Sequence, residues 1–176
     1  MRRSLLLLVA VALVPATARA EPAGFGFNLS GILGIGTTHA PGRDTSGIAW
    51  GVRPEALWRP SYASHWSYGA FVDIGSMGDA GVLFGTGGTL SIPLTGDVVI
   101  APSAGVFTAT VFDQGYAAGW TAGTFVGIRR ANDISYFDAS VGLRADLHRT
   151  FAGDRTGFSI ALQLDLTLLA AFGSFM

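Results

Sequence analysis

The chain of 176 residues contains no cysteine and no lysine. Without cysteine there is no disulfide framework, no thiolate metal site and no N-terminal thiol for a lipid anchor. Charge is scarce as well: Asp, Glu, Lys and Arg make up 13% of the chain, against about 25% in ordinary soluble domains. The sequence also lacks a long apolar run. Past the first twenty residues nothing stays apolar over the roughly 18 positions that a spanning helix needs. A chain too apolar for a wet surface, and without a spanning helix, leaves one further option. A bilayer admits only helices or closed barrels, because every backbone N–H and C=O inside it must be paired.

What is present agrees with a barrel. Glycine accounts for 25 residues, about twice the usual ~7%. The N-terminus carries Arg2 and Arg3, an apolar run from Leu5 to Val14, and then Ala18-Arg19-Ala20. This is the layout of a secretory leader, with cleavage expected after Ala20 and a single barrel domain over 21–176. The remaining chain has eight arginines against twelve acidic residues, a formal charge of −4. No basic patch is available for nucleic acid.

The stretch Phe158 to Phe172 sets the pattern. Phe158, Ile160, Leu162, Leu164, Leu166, Leu168, Ala170 and Phe172 fall on one face, and smaller or polar residues on the other. Strand side chains alternate in direction, so one face is apolar throughout. The run is longer than the ~9–11 residues needed to cross a bilayer at a tilt. Seven more strands are expected, at Phe25–Thr37, Ile48–Trp58, Trp66–Gly75, Val82–Leu94, Val98–Phe112, Trp120–Arg129 and Tyr136–His148. The fifth is apolar on both faces, and alternation does not assign its outward side. Pro54 and Pro102 fall inside strands, where each removes a ladder donor. The expected fold is an all-β, closed, antiparallel, eight-stranded up-and-down transmembrane β-barrel.

Two sets of residues follow. Aromatics fall near strand ends, as expected of girdles at both membrane interfaces. Phe25, Trp58, Trp66, Phe137 and Phe172 belong to the end that carries the termini, and Trp50, Trp120 and Phe158 to the other. Charges fall on the opposite faces and would fill the lumen as a polar network: Arg53, Glu55, Asp73, Arg129, Asp138, Arg144, Asp146 and Asp165. An eight-stranded barrel is just wide enough for side chains to fill it, and charges there must pair or stay wet. A hairpin between the last two strands would set Arg144 opposite or diagonal to Gln163 and Asp165. The connections after odd strands, such as His39–Gly47 and Arg149–Gly157, read as the longer ones. Outer loops are the long ones in such barrels, so both termini are expected in the periplasm.

Eight strands, aromatic rims, a charged lumen and an aromatic-ended last strand resemble the small outer-membrane barrels of the OmpA-transmembrane, OmpX and OmpW kind. The likeness is one of architecture over residues 21–176, and no family motif is matched residue by residue. It implies a bacterial outer-membrane protein, without cofactor or metal, that meets outer-membrane lipids, lipopolysaccharide and the barrel-assembly machinery. The expected role is structural, or a narrow passive route for small molecules, and not enzymatic. The alternative is a lipid-modifying enzyme similar to the lipid A deacylase barrels. His148 is the candidate base, but Arg149 and Thr150 follow it where those enzymes place a serine two residues away.

Overall fold

The computed structural model describes residues 24–60, 66–77, 81–111, 115–130, 138–152 and 154–166. Residues 1–20, where a leader is expected, lie outside these residues, as do Phe137 and Phe172. Eight strands follow in chain order: β1 Gly24–Ala40, β2 Arg43–Arg59, β3 Ser67–Met77, β4 Val82–Thr95, β5 Val98–Val111, β6 Gly115–Arg130, β7 Ala139–Thr150 and β8 Thr156–Asp165. Each pairs antiparallel with the next, and β8 pairs with β1, so the sheet closes in up-and-down order.

The register sets the shape. One circuit of the ladder from Asn28 passes through Glu55, Phe71, Gly87, Gly105, Thr121, His148 and Gly157, and returns to β1 at Thr38, ten residues further along. With strands ~4.8 Å apart and ~3.3 Å per residue, that stagger tilts the strands by about 40°.

Several boundaries differ from the sequence reading. The stretch His39–Gly47 is not an open loop. Pairing runs on to Ala40↔Arg43, and only Pro41 and Gly42 turn the chain, with Gly42 at φ 76°. Proline presets the first turn position and glycine takes the positive φ of the second, while Thr37, Thr38 and Thr45 are good strand formers. The β5–β6 hairpin is likewise extended, β6 starting at Gly115 rather than Trp120. β8 stops at Asp165, and the rest of the alternation, 167–172, lies outside the described residues. The fifth strand is settled: Val99, Ala101, Ser103, Phe107 and Ala109 are buried, and Val98, Ile100, Pro102, Ala104 and Val106 point outward.

The described strand ends do not show the expected loop asymmetry. The connections after odd strands are 41–42, 78–81, 112–114 and 151–155, and those after even strands are 60–66, 96–97 and 131–138. Length read as loop is instead strand. Beyond the Leu33–Trp50 rung the β1–β2 ladder continues for seven further rungs, a projection of about 17 Å at this tilt. At the end bearing the termini the strands stop close to Phe25, Trp58 and Trp66.

The two prolines mark breaks in the wall. β2–β3 pairing skips Arg53 and Pro54, and β4–β5 pairing skips Ala101 and Pro102. On their other sides both prolines stay in register, with Leu29 and Thr124. A missing N–H therefore interrupts one ladder only.

Candidate functional site

The outer face is a belt between two aromatic rims, of which the one at the end bearing the termini is confined to β1–β3 among the described residues. At the end bearing the termini, Phe25 pairs with Trp58 and Trp58 with Tyr68, and Trp66 stacks on Tyr68 at 6.2 Å between ring centroids. At the distal end, Trp50, Phe84, Trp120 and Phe158 are all exposed. Once the stagger is allowed for, these four fall at one height, about nine residues or 23 Å above the first ring. Between the rings the outward residues carry no charge. Leu33, Leu143, Ile160 and Leu162 are each more than 40% exposed, and Thr86 and Thr124 supply the polar groups. The Thr86 hydroxyl donates to the Phe71 carbonyl at 3.0 Å, so it is satisfied within the wall. A soluble monomer rarely exposes an apolar patch beyond a few hundred Å². Here the patch encircles the barrel.

Tyr68 and Phe84 were not among the ring residues read from the sequence. Each stood on an apolar strand face there, but ring height depends on register.

The lumen is polar and packed. Its central group is Glu55, 2% exposed, whose two oxygens accept from different arginines: Oε1 from Arg53 Nε at 2.8 Å, and Oε2 from Arg129 Nη2 at 2.6 Å. Arg53 Nη1 also donates to both oxygens of Asp73, at 3.0 and 2.8 Å. This contact spans the rungs that Pro54 interrupts, so side chains join β2 to β3 where the backbone does not. The Arg53 guanidinium lies 3.5 Å over the Phe71 ring, and that of Arg129 lies 5.3 Å over Phe125. Such stacking suits a desolvated guanidinium.

Nearer the distal end, Arg144 grips Asp146 two residues along its own strand, Nε to Oδ2 at 2.7 Å and Nη2 to Oδ1 at 2.6 Å, and reaches Ser103 Oγ at 3.2 Å. Period-two geometry puts residues i and i+2 on one face, which serves Arg53–Glu55 as well. Arg144 lies diagonal to Gln163, as expected, and its level on β8 is four residues from Asp165. Its rung partner is Ala161, and the Asp165 carboxylate accepts from Asn28 Nδ2 at 2.8 Å. Asn28 further donates to the Asp138 carbonyl at 2.6 Å and to Ser140 Oγ at 3.1 Å. Ser30 donates to Asn28 Oδ1 and accepts from Gln163 Nε2. Asp138, 1% exposed, forms an ion pair with Arg59. Asn28, Ser30, Ser103 and Ser140 were not among the network residues read from the sequence, and Gln163 was placed only beside Arg144. Each is a small or neutral polar residue on an inward face, and that alternation was their only signal.

Glycine makes the packing possible. A Cβ on Gly123 would stand 1.9 Å from Asp146 Oδ1, and one on Gly142 would stand 2.8 Å from the Phe125 ring. Bulky and charged groups therefore lie against the bare backbone of the neighbouring strand.

A cavity of about 50 Å³ lies among Ile32, Leu83, Asp73, Arg144, Asp146 and His148, room for a water or two. His148 packs edge-on against Phe107 at 5.3 Å between centroids, with Thr121 and Gly157 as its rung partners. Among the described residues no group of three or more His, Cys, Asp or Glu could hold a metal.

The geometry defines a closed eight-stranded antiparallel barrel with an apolar belt outside and an ion-paired lumen inside. Comparison with family models, with curated proteins and with solved structures finds no match.

Proposed function

We propose that this chain is an outer-membrane β-barrel whose belt faces lipid hydrocarbon and whose lumen is held shut by the arginine–carboxylate network. Its role is structural, or at most a narrow passive route for small molecules. The observation that carries the reading is the charge-free belt between two aromatic rings. Its height of about 23 Å is close to the ~25 Å apolar band of outer-membrane barrels.

Other features support the reading. The leader at 1–20 would deliver the chain across the inner membrane, and the barrel-assembly machinery would insert it. At the end bearing the termini the described strands stop near the aromatic rim, while at the other end they project beyond it, which favours termini in the periplasm. A lumen whose charges are paired with one another favours a plug over an open pore.

The test is refolding of residues 21–176 into phosphatidylcholine vesicles. Expected outcomes are protease-protected strands, migration on gels that changes on boiling, and no discrete conductance in planar bilayers. A barrel that stays folded and monomeric in water and ignores vesicles would defeat the membrane reading. Stepwise conductance would replace the plug with a pore.

A further inference from the structure

Above the distal ring the two projecting hairpins differ. The β1–β2 extension is polar, with Thr37, His39, Arg43 and Asp44, and His39 Nδ1 lies against the Asp44 carboxylate. The β5–β6 extension carries Tyr116, 87% exposed, and the adjacent β7–β8 turn presents Phe151, 66% exposed. Both belong to one patch. The Phe151 N–H donates to the Ala118 carbonyl at 2.9 Å, which sets Phe151 beside Ala118 and diagonal to Tyr116. Arg149, also exposed, is the rung partner of Trp120 in the ring below.

The patch therefore climbs without interruption from Trp120 through Arg149 and Ala118 to Phe151 and Tyr116. Tyr116 stands four residues past Trp120 on β6, about 10 Å higher at this tilt. The polar layers add about 5–8 Å to each side of the hydrocarbon, so Arg149, on the rung of Trp120, lies within the headgroup layer, and Tyr116 stands just past its outer edge, where the sugars of a glycolipid project. A single exposed aromatic is ordinary. Two adjacent ones with a guanidinium, continuous with the belt, make a surface of definite chemistry. Arg matches the oxygens of a phosphate, and an amphipathic ring suits a site that is apolar on one side and wet on the other.

We propose that this patch holds the headgroup of a phosphorylated glycolipid in the outer leaflet, with Arg149 on a phosphate and Tyr116 and Phe151 against a sugar ring. The inference rests on the membrane reading above and names the lipid that the distal rim selects. The polar β1–β2 extension lacks the aromatic pair and contributes no such contact.

The experiment is binding of fluorescently labelled lipopolysaccharide to the refolded barrel in detergent micelles. Replacing Tyr116 and Phe151 together by Ser should raise Kd by about tenfold, which corresponds to roughly 1.4 kcal/mol. Arg149→Gln should weaken binding comparably, and removing the lipid phosphates should weaken binding to the unaltered chain but add little to Arg149→Gln. Equal affinity of all versions, or indifference to the phosphates, would overturn the proposal. The phosphate arm needs no variant, so a variant that does not fold leaves the question decidable. Insertion into phosphatidylcholine vesicles separates the two readings. If the barrel inserts and the variants bind lipopolysaccharide as the parent does, the patch fails alone. If the unaltered barrel does not insert, both readings fall.

Discussion

Leu143 and Arg144 are neighbours on β7. Leu143 is 61% exposed on the belt, and Arg144 is 3% exposed in the lumen. The same alternation runs round the whole wall, so one backbone carries two surfaces under opposite rules. Outside, on the proposed membrane reading, any apolar side chain of suitable size serves, because burial in hydrocarbon is non-directional. Inside, each charge has a named partner at a fixed distance, because an unpaired charge in a narrow lumen is costly. The belt is therefore tolerant of identity and intolerant of charge, and the lumen is the reverse.

The sharpest way to break this contrast is at Glu55. Glu55→Leu keeps similar bulk but takes the acceptor from both Arg53 and Arg129. Removing one partner of a buried ion pair costs about 3–5 kcal/mol, and Asp73 remains to satisfy Arg53 alone. Urea unfolding of the vesicle-inserted barrel should show that loss. A cost below 1 kcal/mol, on the scale of an exposed pair, would mean that the lumen is more open than its geometry indicates.

The belt should respond a little less strongly. Leu143 sits midway between the rings, and Leu143→Arg should cost about 2–4 kcal/mol in the same assay. A neutral result would mean that this face meets water, and the contrast would collapse from the outside.

The smallest effect refines the lumen rule. Asp165→Asn keeps an oxygen that can accept from Asn28 Nδ2, so the loss should be near the ~1 kcal/mol of an ordinary hydrogen bond. A loss as large as that of Glu55→Leu would place Asp165 in the charge balance of the arginine network rather than in the neutral group around Asn28.

Much of the fold was legible because a strand's period is two and the belt spans several strands of uniform pattern. Phe158, Ile160 and Leu162 announce an apolar face wherever they are placed. Trp50 and Trp58, eight residues apart on β2, give a span along the strand without any knowledge of its neighbours. Where the pattern is degenerate, reading stopped. β5 is apolar on both faces, and only its neighbours decided which side is core. His39, Thr45 and Ser46 look like loop by polarity and behave as strand, because at a projecting hairpin both faces are wet and alternation is lost.

The sequence by itself determined the strand faces, the scarcity of charge on one of them, and the close local pairs such as Arg53 with Glu55, because i and i+2 share a face whatever surrounds the strand. It could not determine the stagger of ten residues around the barrel. That quantity belongs to closure, in which eight ladders must agree at once. Closure brings Arg129 to Glu55 across 74 positions and Asn28 to Asp165 across 137, and it lifts Phe84 to the height of Trp50. The tertiary structure alone decided which charges distant in sequence meet and which aromatics form a ring, because both depend on the tilt that only a closed sheet acquires.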